Sequence, residues 1–248
     1  MRHLKLTIAY DGTDYVGWQI QINGTSIQQR LEEAWFSVTQ ERLRITASGR
    51  TDSGVHALGQ VCSLVTTSAL STDSIVRALN AETPYDISVL SAQDVPPGFH
   101  AIRDAVQKTY NYHIQFGRIL DPLRLRTCWF VPGELNLDAM RQSAKLITGV
   151  HDFTSFESAG AERSSATRNI IELKIQDEYI HGFPGLKISI TADGFLYNMV
   201  RNIVGTLVRV GRQREEVEWV GWVRDQKDRK CAGQTAPAHG LFLDHVVY

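Results

Sequence analysis

The sequence predicts an α+β protein built from two comparable sheet-and-helix units. Strand-like alternation and helix-like periodicity follow one another in similar order in the two halves, Pro96-Pro97-Gly98 interrupts the pattern between them, and 248 residues exceed the usual size of one domain. The expected division is an N-terminal α+β domain over 1–105 and a C-terminal one over 106–248. No strong residue-level repeat accompanies the similar order.

Alternating residues predict a first strand over 4–10. A helix from Ser26 is signalled most clearly: Ser26 and Gln29 have capping-box spacing, and Ile27, Leu31, Ala34, Trp35 and Val38 recur at helical intervals to form one core-facing stripe. Strands are expected over 44–47 and 61–66, a helix over 73–81 and a strand over 87–95. Beyond the Pro-Pro-Gly break, 108–116 is rich in β-branched and aromatic residues and predicts a strand. A helix over 137–147, strands over 170–176 and 186–192, a helix over 196–210 and a strand over 241–247 complete the second half. The stretch 160–165 reads as a loop.

With 43% hydrophobic residues, 21% charged residues and only 7 prolines, the chain can bury a sizeable core, which excludes a disordered protein. It shows no signal peptide and no apolar run long enough to span a bilayer, so no membrane association is expected. Cys62, Cys128 and Cys231 form an odd, widely spaced set that argues against a disulfide framework and a zinc site. A cytoplasmic location without a bound metal is the expectation. The net charge of −1 does not suggest a polyanion partner, but arginines gather locally at Arg118, Arg124 and Arg126 and at Arg209, Arg212 and Arg214. A basic groove and a scatter of solvated arginines explain these clusters equally well.

Chemistry concentrates in Ser48-Gly49-Arg50-Thr51-Asp52-Ser53-Gly54-Val55-His56-Ala57, between two predicted strands. Two glycines permit tight backbone geometry, and Arg50 and Asp52 meet if the loop curls. An adjacent guanidinium would keep the carboxylate ionised and usable as a nucleophile. Spacing alone favours the plainer alternative, a loop aspartate capping a turn. Lys108, Tyr110 and Tyr112 share one face of a strand, where aromatics either stack on bases or simply pack. Arg201 is a lone charge in the apolar stretch 194–205 and needs a partner, whether structural or at an active site.

Further segments join this loop in a family pattern: Tyr10-Asp11-Gly12-Thr13, Gly17-Trp18-Gln19, Leu79-Asn80, Phe99-His100-Ala101, Lys108-Thr109-Tyr110-Asn111-Tyr112, His151-Asp152-Phe153-Thr154-Ser155-Phe156, 195–205, and Thr235-Ala236-Pro237-Ala238-His239-Gly240-Leu241. In this order, from one end of the chain to the other, they resemble the TruA family of tRNA pseudouridine synthases. Three positions depart from the pattern: Ser53 stands in place of the usual alanine, Ile102 of a common arginine, with Arg103 one place later, and Thr83 of a leucine.

The resemblance implies two ferredoxin-like units with the active-site cleft between them, the first carrying the catalytic loop and the second completing the cleft. It implies an enzyme that isomerises uridine in the anticodon stem-loop of tRNA, at nucleotides 38, 39 and 40, as a homodimer and without a cofactor. Asp52 would be the nucleophile, Arg50 would hold the RNA with the base flipped out, and Arg201 would pair with Asp52. Tyr110 would stack on the uracil as the candidate general base, and Leu241 would line the pocket. Asp52-Ser53-Gly54 also fits an aspartic protease pattern, but Arg50 and Thr51 replace the apolar strand positions expected before it. A binding module without chemistry would leave Asp52 unexplained, and a pseudouridine synthase of another specificity would lack the surrounding segments.

Overall fold

The computed structural model describes residues 1–160 and 165–248. In chain order its elements are β1 (Arg2–Tyr10), α1 (Ile27–Thr39), β2 (Thr46–Ala47), β3 (His56–Thr66), α2 (Thr72–Glu82), β4 (Ile87–Val95), β5 (Gln107–Gly117), β6 (Trp129–Pro132), α3 (Leu137–Lys145), β7 (Gly149–Asp152), β8 (Thr167–Ile180), β9 (Phe183–Ala192), α4 (Met199–Gly211), α5 (Trp219–Gln226) and β10 (Leu241–Val247). The fold is mixed α and β, as the patterning predicts. Residues 161–164 of the expected loop lie outside the described residues.

Two compact units emerge, Met1–Val106 with Phe242–Tyr248, and Gln107–Leu241. In the first, β1 is antiparallel to both β3 and β4, with Leu6 opposite Cys62 on one side and Ala92 on the other. Leu4, Leu6, Ile8 and Tyr10 alternate into the core, where Leu31 and Trp35 of α1 and Ile75 and Leu79 of α2 are also buried. Ser26 caps α1 as its spacing predicts, accepting from the Gln29 amide at 3.2 Å. Chain order would leave the last strand with the second half, yet Phe242 and Leu243 pair in parallel with His56 and Ala57 of β3. The two-residue β2 covers β3 only at Cys62 and Ser63, so the start of β3 still presents unpaired backbone groups for a second strand.

In the second unit β5 is antiparallel to β9 and β9 to β8, with β7 beyond β8 and β6 parallel to β5. His181 (φ 54°) and Gly182 (φ 83°) form the two-residue connection of the β8–β9 hairpin, where two left-handed residues match the twist of the flanking strands. Helices α3, α4 and α5 pack together. Nearly every residue of α4 is buried, which explains its apolar sequence. Among the described residues no helix is long and apolar enough to cross a membrane.

Candidate active site

Asp52 lies in the first unit, on the segment between β2 and β3, and that segment is held from several sides. The Trp18 amide donates to the Thr51 carbonyl at 3.0 Å, Gly17 bridges Asp52, and the Val55 amide donates to the Asp52 carbonyl at 3.1 Å. Gly17 has φ +106°, and a Cβ there would sit 2.6 Å from the Thr51 oxygen. At Gly12 a Cβ would lie 2.0 Å from the Val55 oxygen. These close approaches require glycine and account for the Tyr10–Thr13 and Gly17–Gln19 segments as the frame of the aspartate loop.

Thr51 is buried, Arg50 exposed and Asp52 part-buried, the alternation of an extended chain.

Tyr110, Arg201 and Leu241 belong to the second unit. Tyr110 sits on β5 opposite Ile190, and Phe195 meets its ring edge-on at 5.0 Å. Lys108, on the same strand face, is part-buried, and desolvation pulls its ammonium below the usual lysine range. Tyr112 donates to the Pro237 carbonyl at 2.7 Å, and its ring lies where a Cβ on Gly240 would be. Burial pushes its hydroxyl up despite the opposing charge of Arg201. Leu241, just beyond, is buried.

Arg201 has the partners its apolar setting demands. Its Nε donates to the Ala236 carbonyl at 2.8 Å and its Nη1 to Asn198 Oδ1 at 2.7 Å. Asn198 adopts a left-handed conformation (φ 59°), which delays α4 from the expected start at 196 to Met199. One turn on, fully buried Asn202 donates to the Phe156 carbonyl and accepts from Thr235 and Arg229. Ser155 donates to the Val223 carbonyl and accepts from the Asp228 amide. Segments 151–156 and 235–241 thus converge on α4 and hold the arginine it carries.

The arginine clusters divide. Arg124 is buried, 3.5 Å from Glu178, and Arg209 pairs with Glu215 at 2.5 Å, whereas Arg118, Arg126 and Arg214 are exposed. An open groove in the first unit, lined by Asp14, Tyr15, Arg30, Glu33 and Asp86, contains none of the expected site residues. Among the described residues no three His, Cys, Asp or Glu side chains gather as metal ligands.

Comparison with known proteins places the chain in a family. A family model described as tRNA pseudouridine synthase matches residues 6–103 and 143–248. The chain belongs to this family. It is 44% identical over its whole length, and that of its relative, to the tRNA pseudouridine synthase A of Pelobacter propionicus. It is 43% identical to the protein of that name from Exiguobacterium, covering all of this chain and 98% of the relative. The tRNA pseudouridine synthase A 2 of Clostridium perfringens is 42% identical with both chains fully covered.

Within this family member, sequence reasoning passed over Tyr10, Gln60, Asn198 and Asn202 as individual residues. Tyr10 and Gln60 look like ordinary strand positions. Asn198 and Asn202, in an apolar stretch, carried the one visible signal, since a buried amide needs partners.

Proposed function

We propose that this enzyme converts uridine to pseudouridine in the anticodon stem-loop of tRNA, at nucleotides 38, 39 and 40, with Asp52 as nucleophile and without a cofactor. Its working form is a homodimer in the cytoplasm. The observation that carries the reading is a part-buried carboxylate on a backbone pinned by Gly17 and Trp18, in a chain whose full-length relatives bear the name tRNA pseudouridine synthase A.

The reaction breaks the bond from N1 of uracil to C1′ of ribose, turns the base and joins C5 to C1′. The proton lost from C5 is balanced by one taken up at N1, so nothing is oxidised or reduced. An attacking carboxylate splits the exchange into two steps and is itself regenerated. In this reading the nucleotide leaves its stack, Arg50 holds the RNA, and Arg201 stabilises the Asp52 carboxylate. Tyr110 stacks on the uracil and assists removal of the C5 proton, while Leu241 lines the pocket. Rigid attachment of Arg201 through Asn198 and Ala236 supports a positioned cation.

We propose further that the two units are ferredoxin-like relatives of one another. Support comes from pairing: β1, β3 and β2 repeat as β5, β9 and β8, with the first strand antiparallel to the third and the third to the second.

The test is Asp52→Asn, assayed with tRNA transcripts carrying tritium at uracil C5. Expected is a folded protein that binds tRNA and releases no tritium. Retained turnover would refute the nucleophile. Carbodiimide-stop mapping of the product reports whether nucleotides 38, 39 and 40 are the ones changed.

A further inference from the structure

Behind the Asp52 segment lies a chain of buried polar side chains that the mechanism does not use. Ser48 Oγ donates to Gln60 Oε1 at 2.7 Å, and Gln60 Nε2 donates to the Gly49 carbonyl at 2.8 Å. The same Nε2 lies 3.5 Å from the Tyr10 hydroxyl, a long contact, and that hydroxyl lies 2.7 Å from Thr51 Oγ1. All four residues that supply side chains are buried, Ser48 and Gln60 completely. An amide nitrogen can only donate, so Tyr10 accepts from Gln60, and its hydroxyl shares a hydrogen bond with Thr51 Oγ1 in which either oxygen can donate. Burial holds the Tyr10 hydroxyl protonated far above neutral pH, so the link stays uncharged.

The placement of these contacts along the chain is what matters. Gly49 and Thr51 are the residues immediately before Arg50 and Asp52. Gln60 takes the first by its carbonyl, and Tyr10 takes the second by its hydroxyl while Trp18 takes its carbonyl. Clamping every second residue from inside the unit dictates the direction of the alternate ones that point away. Tyr10 and Gln60 sit on β1 and β3, so the clamp rests on paired strands and not on another loop.

We propose that Tyr10 and Gln60 are positioning residues for the nucleophile: through Thr51 and Gly49 they hold the backbone that aims Asp52 and touch no substrate atom. This rests on the reading of Asp52 as nucleophile. A buried network of this kind is cooperative, so loss of one member releases its neighbours.

The experiment compares wild type, Tyr10→Phe, Thr51→Val, Thr51→Ser and the double variant Tyr10→Phe/Thr51→Val on C5-tritiated tRNA, well below each variant's unfolding temperature. Expected for Tyr10→Phe is a fall in kcat of roughly 10- to 100-fold with KM within about twofold, the pattern of a misplaced reacting group with intact RNA binding. The double variant should be no slower than the worse single variant, because both cut one link. Thr51→Ser, which keeps the hydroxyl, should recover most of the loss seen in Thr51→Val, and this pair carries the test if Tyr10→Phe does not fold. An unchanged kcat in Tyr10→Phe or Thr51→Val, multiplicative losses in the double variant, or a change confined to KM would overturn the positioning role alone. A wild-type enzyme that releases no tritium would overturn the nucleophile reading and this proposal with it.

Discussion

The carbonyl oxygen of Gln234 stands where a side chain on Gly205 would begin, since a Cβ there would lie 1.7 Å away. Close approach of the 233–236 backbone to α4 is what lets Ala236 and Arg201 bond in both directions, amide to carbonyl and guanidinium to carbonyl. Gly205→Ala must push the two apart. The expected cost is about 3 kcal/mol or more, because backbone and not a flexible side chain has to move. Urea unfolding followed by tryptophan fluorescence should show a lowered midpoint, and pseudouridine formation should fall with it. An unchanged midpoint would contradict the packing.

Gly17 and Gly98 separate two kinds of glycine. Both have left-handed backbone, φ +106° and +92°, but a Cβ on Gly98 meets nothing within 4 Å, whereas on Gly17 it collides with Thr51. Gly98→Ala is expected to lose only about 1 kcal/mol of stability, through backbone strain, and to keep its turnover. Gly17→Ala displaces the Asp52 segment and is expected to lose roughly 10- to 100-fold in rate. Initial rates of tritium release compare the two directly, and equal rates would argue against the collision.

Hydrogen bonds from the hydroxyls of Thr66 and Thr67, together with the Thr67 amide, hold the Glu41 carboxyl down to about 2. A folded pKa below the unfolded one stabilises the protein fully above about pH 4.5, and that contribution drains away as pH falls toward 2. Glu41→Gln is expected to be less stable at pH 7 and to lose less between pH 4.5 and 2 than wild type. Denaturation midpoints across this range measure the difference, and parallel curves would show that Glu41 contributes nothing.

Exposed and buried arginines should respond differently to removal. tRNA affinity is expected to fall linearly on a plot of log affinity against log salt, as counterion release requires. Arg118→Ala or Arg214→Ala, at exposed positions, should reduce that slope by about one each if the side chain contacts phosphate. Arg124→Ala should leave the slope alone and lower stability, because it removes a buried side chain and strips the part-buried Glu178 of one of its partners. Filter binding at several salt concentrations checks both, and a flat salt response would count against RNA held by its phosphates.

Local signals were legible where they were strong. The capping pair Ser26 and Gln29 located α1 to within a residue, and alternation placed β4 and the last strand at their observed ends. α5, with eight residues, and β6 and β7, with four each, are too short to display a period and went unread. β8 runs on to Ile180 because its polar outer half is held by β9, a partner that no local pattern reveals. Residue types marked Asp52, Tyr110 and Arg201 only as candidates, and local spacing left a plainer structural role open for each.

By itself the sequence determined the mixture of strands and helices, the core-facing stripes and the segments where chemistry gathers, because each follows from residue type and spacing over a few neighbours. Only the tertiary structure decided that the last strand returns to β3, that Gly12 and Gly17 brace the aspartate segment, and that Tyr10 and Gln60 reach it from below. The physical reason is distance along the chain. These contacts join residues 11 or more positions apart, and their energy depends on shape and on hydrogen-bond partners that exist only once the backbone has closed.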